Sequence, residues 1–408
     1  MKIRLLLILF LVLSKGAFSK KIASGYWHTT LHLNDSTDLP VTFMVEKERK
    51  DYHIFVINAA EKIELQQVDR TRDSITLRFP AFRSELKCKI LNKKEVEGFW
   101  YNYAKGSDYR IPFIAKKGDQ SRFPILTQSI DVSGQWEVTF DYNGKPEKAL
   151  GIFSPLKTHG ANNQQQMVQG TFLTETGDYR FLEGVTSNDS LNLSTFDGSH
   201  AFLFQSKLVN DTLWGQFYSG NHYHVNWHAV RNEHFELTDP DSLTYIVNQR
   251  PLTLSLPNLN NEIYSYPNAS GQGKVTLIQI MGTWCPNCLD ESRYLKEKKS
   301  TYGNQLQIIS VAFEMPETLA GRIEKVQSFQ QDLDLDFTFL IGGKASKKEA
   351  LKQFPMLNEV ISFPTLIFID KTGDIRKIHT GFNGPGTGQY YKDFVTKTDK
   401  FIESLIQE

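Results

Sequence analysis

The chain has 408 residues, a length that typical domain size divides into two or three domains. A hydrophobic fraction of 40% and a charged fraction of 23% are those of a globular protein and exclude a chain that is disordered, collagenous or coiled-coil throughout. Lys+Arg and Asp+Glu each number 46, so no net field gathers nucleic acid and no nucleic-acid partner is expected, while three cysteines are too few for a disulfide-built scaffold.

The first 19 residues read as a secretory signal. Lys2 and Arg4 precede the apolar run Leu5 to Leu13, and Ala17-Phe18-Ser19 offers small residues at cleavage spacing. The run is too short to span a bilayer. The mature chain is therefore expected outside the cytoplasm, in the periplasm, where a dithiol is poised by dedicated partners.

From about 22 to 235 the pattern is short, aromatic and alternating. Val41 to Val45 and Ile75 to Phe79 read as strands, Asn34-Asp35-Ser36 as a turn, and Asn143-Gly144 as a type I′ hairpin turn. Two stretches match in order and spacing. Gly25-Tyr26-Trp27 pairs with Gly134-Gln135-Trp136, Glu97 to Tyr101 with Trp214 to Tyr218, and Tyr109, Ile111, Phe113 and Ala115 with Tyr223, Val225, Trp227 and Ala229. This predicts a duplicated all-β region, units 20–117 and 131–235, each a small antiparallel sandwich or barrel, joined by a polar link over 116–131. Cys88 alternates with charged neighbours and reads as a buried strand thiol. His222, His224 and His228 share one strand face, but the matching positions of the first unit carry no His, so a solvated face is expected there and no metal.

Beyond 236 strands and helices alternate. The expected order is a buried strand over Val275 to Ile280, a helix over Pro286 to Lys299, a strand over Leu306 to Phe313 and a helix over Glu317 to Leu333. A short strand over Phe337 to Ile341 and a short helix over Lys347 to Phe354 follow. A hairpin of Thr365 to Ile369 with Asp374 to His379 and a closing helix over Tyr390 to Ile406 complete an open mixed sheet with helices on both faces, the α/β part of a multidomain chain over 252–408.

The chemistry sits where the first of these strands turns into its helix, at Trp284-Cys285-Pro286-Asn287-Cys288. Cys-x-x-Cys on a first helical turn brings two sulfurs within bonding reach. The helix N-terminus favours a thiolate on Cys285, and Pro286 suits a position whose N–H needs no partner. Zinc would need two further ligands at finger spacing.

With Phe363-Pro364-Thr365 before a strand, this pattern resembles the thioredoxin superfamily and, within it, the extracytoplasmic TlpA/ResA-like thiol–disulfide oxidoreductases, over about residues 252–408. The resemblance implies a thioredoxin-like fold, no cofactor, Pro364 in cis beside Cys285 and Cys288, and a substrate groove at Trp284, Pro286 and Phe363. It also implies disulfide-containing or thiol substrate proteins, with electrons from a membrane thiol-transfer protein of the DsbD/CcdA kind. Thioredoxins proper carry a buried Asp six residues before the first Cys, where this chain has Gln279. Glu291, one helical turn after Cys288, is the candidate proton acceptor. The function so implied is exchange of a Cys-x-x-Cys disulfide with protein thiols, in the reducing direction. The alternative is a binding protein whose β region captures a ligand or partner, with the thioredoxin-like part accessory.

Overall fold

The computed structural model describes residues 20–408 except 50, 119–120, 125–128, 157–165, 249 and 270. The segment read as a secretory signal lies outside the described residues. Among those described, no helix is long and apolar enough to cross a membrane.

The first β unit is a closed ring of eight antiparallel strands from Gly25 to Lys117, its first strand Gly25–Asn34 pairing with its last, Arg110–Lys117. Alternation drives this: along Gly25–Asn34 every second residue (Trp27, Thr29, Leu31, Leu33) points into the ring and is buried. The second unit repeats the design between Gly134 and Arg231. Gly134–Tyr142 pairs with both Lys145–Pro155 and Tyr223–Arg231, and Lys145–Pro155 with Met167–Thr174, so eight strands again close on themselves. Asn143 and Gly144 both have positive φ (56° and 80°), as the hairpin between the first two of these strands requires.

The two rings anchor their opening tryptophans identically. Trp27 Nε1 donates to Ala23 O and Trp136 Nε1 to Val132 O, each at 2.9 Å and each across four residues. Both indoles are buried. The joining segment is less free than its polarity suggests. Arg122 is buried between the rings, where it donates to Ser194 O (2.7 Å), Asn58 Oδ1 (2.9 Å) and Ile57 O and faces Glu183 at 3.5 Å.

The C-terminal domain is a five-stranded mixed sheet in the order Thr338–Lys344, Leu306–Glu314, Val275–Met281, Thr365–Ile369, Ile375–Thr380. The first three are parallel and the last two antiparallel to their neighbours. Val275–Met281 at the centre is buried at all seven positions, as its mostly apolar pattern predicts for a strand covered on both faces. Helices Pro286–Tyr302, Leu319–Leu333, Lys347–Gln353 and Gln389–Gln407 complete it. The second of these starts at Leu319 rather than Glu317, because Thr318 Oγ1 accepts from Gly321 N at 3.1 Å and caps it. A hairpin of Leu254–Pro257 with Ile263–Tyr266 precedes the sheet; its strands of four residues are too short to show a period.

Candidate active site

The sheet delivers its central strand into Gly282-Thr283-Trp284, and the helix opens at Cys285. A side chain at Gly282 would collide with the Trp284 indole, so the turn can close this tightly only with glycine. Cys285 is the N-cap: its Sγ accepts from Cys288 N at 3.1 Å, a contact that favours negative charge on that sulfur. Cys285 and Cys288 are joined in a disulfide, their Cα atoms 5.2 Å apart. Cys285 keeps 6% of its surface and Cys288 none, which separates an approachable sulfur from an enclosed one.

The loop before Thr365–Ile369 meets this turn. The Phe363–Pro364 bond is cis, and Phe363 O lies 3.4 Å from Cys285 Sγ. The Phe363 ring packs edge-on against Trp284, with centroids 5.6 Å apart, and Trp284 Nε1 is held by Phe313 O at 2.9 Å. Cys285, Cys288, Trp284, Pro286, Phe363 and Pro364 thus come together from two segments nearly 80 residues apart.

Behind the cysteines lies a polar cluster in the apolar core. Gln279 Nε2 donates to Glu291 Oε2 at 2.9 Å, while Gln279 Oε1 accepts from Ser310 Oγ (2.8 Å) and Ser292 Oγ (3.2 Å). Glu291 is fully buried, and its Oε1 has no hydrogen-bond partner among the described residues. Burial pushes its carboxyl up to about 8, against the opposing pull of the Gln279 amide. At the other end of the turn, Glu314 Oε1 and Oε2 accept from Thr283 N (2.7 Å) and Thr283 Oγ1 (2.8 Å), and burial raises this carboxyl to about 7.

The sequence reading missed a third group, where all three units meet. Arg180 of the second ring is buried with Glu61 of the first and Asp290 of the active-site helix. Its Nη1 donates to Asp290 Oδ2 (2.5 Å) and Pro286 O (3.2 Å), its Nη2 to Glu61, and its Nε faces Asp197 at 3.4 Å. Burial alone lowers a guanidinium pKa, but the surrounding carboxylates hold this one above its ordinary value. In sequence Arg180 and Asp290 look like surface charges, since they lie 110 residues apart and nothing local marks them as a buried pair.

Cys88 lies inside the first ring, its thiol pushed up to about 12 by burial, which makes it inert. His222 contacts the Tyr109 hydroxyl, His224 stacks on Tyr218, and His228 stacks on Trp214.

The Redoxin family matches residues 247–393. Thioredoxin-like protein YneN of Bacillus subtilis is 31% identical over 134 residues, which are 33% of this chain and 71% of YneN. Thiol-disulfide oxidoreductase ResA of Geobacillus kaustophilus is 28% identical over 111 residues, 27% of this chain; the chain spans only 56% of ResA. Among solved structures, that of StoA from Bacillus subtilis is 20% identical and matches 36% of this chain and 98% of StoA, with a TM-score of 0.26. Through the Redoxin match and a relative 31% identical over 71% of its length, this chain belongs to the thioredoxin-like thiol–disulfide oxidoreductases.

Proposed function

We propose that the protein exchanges the Cys285–Cys288 disulfide with protein thiols outside the cytoplasm and works as a reductase. The observation that carries this reading is the bonded cysteine pair at a helix start with Phe363 O 3.4 Å from Cys285 Sγ. In the reduced protein, Cys285 attacks a substrate disulfide, helped by the Cys288 N–H and the helix end. One substrate sulfur leaves as thiolate, and a mixed disulfide remains. Cys288 loses its proton to Glu291, attacks Cys285 Sγ and releases the second substrate thiol. Two electrons pass from the protein dithiol to the substrate.

Burial of Cys288 supports the reducing direction. A strong oxidant of this class has a stabilised reduced form. Cys288 is fully enclosed beside a buried carboxyl, a setting that stabilises no thiolate there. Oxidised protein would be recharged by a membrane thiol-transfer donor.

A role for the first ring as a ligand cup has little support. The cavity inside the first ring, lined by Trp27, Phe43, Cys88 and Phe113, measures about 40 Å³, and side chains fill the rest. The reduction potential of the Cys285–Cys288 pair tests the direction: a value near about −270 mV is expected, and one near about −120 mV would make the protein an oxidant.

A further inference from the structure

Both rings wall the redox turn. From the second ring, Ser199 Oγ donates to Trp284 O (3.3 Å) and Thr176 O accepts from Ser362 Oγ (2.8 Å), one residue before Phe363. Gly177 approaches so closely that a Cβ there would lie 1.8 Å from Asn287 Nδ2. The first ring meets the C-terminal domain at Arg78 and Ala81, which both bond Asp332, and leaves a gap beside that contact. Between it and the C-terminal domain lies a cavity of about 420 Å³, which reaches Thr283 and Trp284, the residues just before Cys285. That volume is within the range of binding sites.

The charges lining this cavity do not cancel locally. Arg78 is engaged by Asp332 (2.9 and 3.0 Å), Glu85 by Lys87 (2.9 Å) and the Tyr103 hydroxyl, and Glu314 by Thr283. Arg83 and Lys325 have no ion pair among the described residues. Lys325 is partly buried; burial first, and then the charge of Arg83, lower its ammonium pKa to about 8. Two neighbouring cations in a recess, only partly offset by the Glu314 and Glu324 carboxylates, form a site that a bound anion relieves.

We propose that this seam is the substrate subsite of the redox centre and that Arg83 and Lys325 select peptides whose cysteine is flanked by acidic residues. The proposal rests on the exchange reading above. A carboxylate held by the two cations places the substrate backbone against Trp284, next to Cys285. The chemical step is unchanged: the peptide disulfide breaks, Cys285 bonds one peptide sulfur, Cys288 displaces it, and the protein disulfide re-forms as two peptide thiols are released.

The test uses the full chain, pre-reduced with dithiothreitol, and three symmetric peptide disulfides, Gly-X-Cys-X-Gly with X as Glu, Gln or Lys. Each rate is divided by the rate of free dithiothreitol with the same peptide, which removes the intrinsic effect of flanking charge on the sulfurs. The Glu peptide should react about tenfold faster than the Lys peptide, less so as salt screens the cations. In R83Q/K325Q this ratio should fall to near one, and in R83K/K325R it should persist. R83Q alone, at an exposed position, should give an intermediate ratio and serves if the double variant does not fold. A ratio near one in the unaltered protein, or one that survives R83Q/K325Q, overturns the subsite. Failure of all three peptides, the neutral one included, overturns the exchange reading itself and the subsite with it.

Discussion

Gln279 Nε2 holds Glu291 Oε2 at 2.9 Å, so the central strand of the sheet grips the carboxyl that stands one helical turn beyond Cys288. The other oxygen of that carboxyl is buried and has no hydrogen-bond partner among the described residues. A strand residue that can only hydrogen-bond thus positions a helix residue that can carry a proton.

Replacing Glu291 by Gln keeps the shape and removes the titration. Thiol–disulfide exchange should slow by up to about 10²-fold, with the limb of the rate profile near pH 8 lost. Stability should change in a defined direction too. The folded carboxyl titrates near 8 instead of its ordinary 4.5, so the folded state holds a proton that the unfolded chain releases. That stabilisation is complete below about 4.5 and is lost as pH rises to about 8; Glu291→Gln should flatten this fall. Exchange rates and denaturant midpoints across pH 4 to 9 check both. Superimposable profiles for the two proteins would leave Glu291 without a role.

Arg180 is a shared counter-ion for Glu61, Asp197 and Asp290. Arg180→Met leaves Glu61 without its ion-pair partner, and Asp197 and Asp290 with only His200 and Arg293, and should cost about 3–5 kcal/mol. Three packed units need not unfold in one step, so the readout is hydrogen exchange. Protection should fall together around Glu61 and the start of the active-site helix, and Asp290→Asn added to Arg180→Met should recover part of it.

The rings make a paired prediction. Trp27→Phe and Trp136→Phe each leave a backbone carbonyl, of Ala23 or Val132, without its indole donor. Each should lower stability by about 1–3 kcal/mol, and by similar amounts, because the two indoles sit in matching surroundings. Denaturant titration of both variants measures this; a loss confined to one ring would break the match.

Much of this architecture is legible in the residues. The run Val275 to Ile280 needs no partner to be read as a buried strand, and Asn143-Gly144 names its own turn. Cys285 and Cys288 are legible as a bonded pair from their spacing at a strand-to-helix turn, and Pro364 enters through resemblance. What could not be read depends on contacts across the chain. Arg180 sits between Tyr179 and Phe181 with nothing local to mark it as buried. Arg122 occupies a stretch whose polarity reads as a linker, yet its guanidinium is enclosed by Ile57, Asn58 and Ser194. Ring closure is likewise a property of the first strand meeting the last, which no local pattern encodes.

Cys88 should be a bystander. Its thiol is enclosed and held neutral, so a thiol reagent at pH 8 should label Cys285 in the reduced native protein and leave Cys88 untouched until the first ring unfolds. Peptide mapping after brief labelling checks the order, and early labelling of Cys88 would mean that the ring opens readily.

The division of labour between the two active-site cysteines is the centre of the account. Full-length Cys288→Ser and Cys285→Ser proteins, each incubated with the neutral Gly-Gln-Cys-Gln-Gly disulfide, answer it by intact mass. The account predicts one peptide bound to the Cys288→Ser protein, removable by dithiothreitol, and none on the Cys285→Ser protein. Equal adducts on both, or an adduct only on Cys285→Ser, would contradict it.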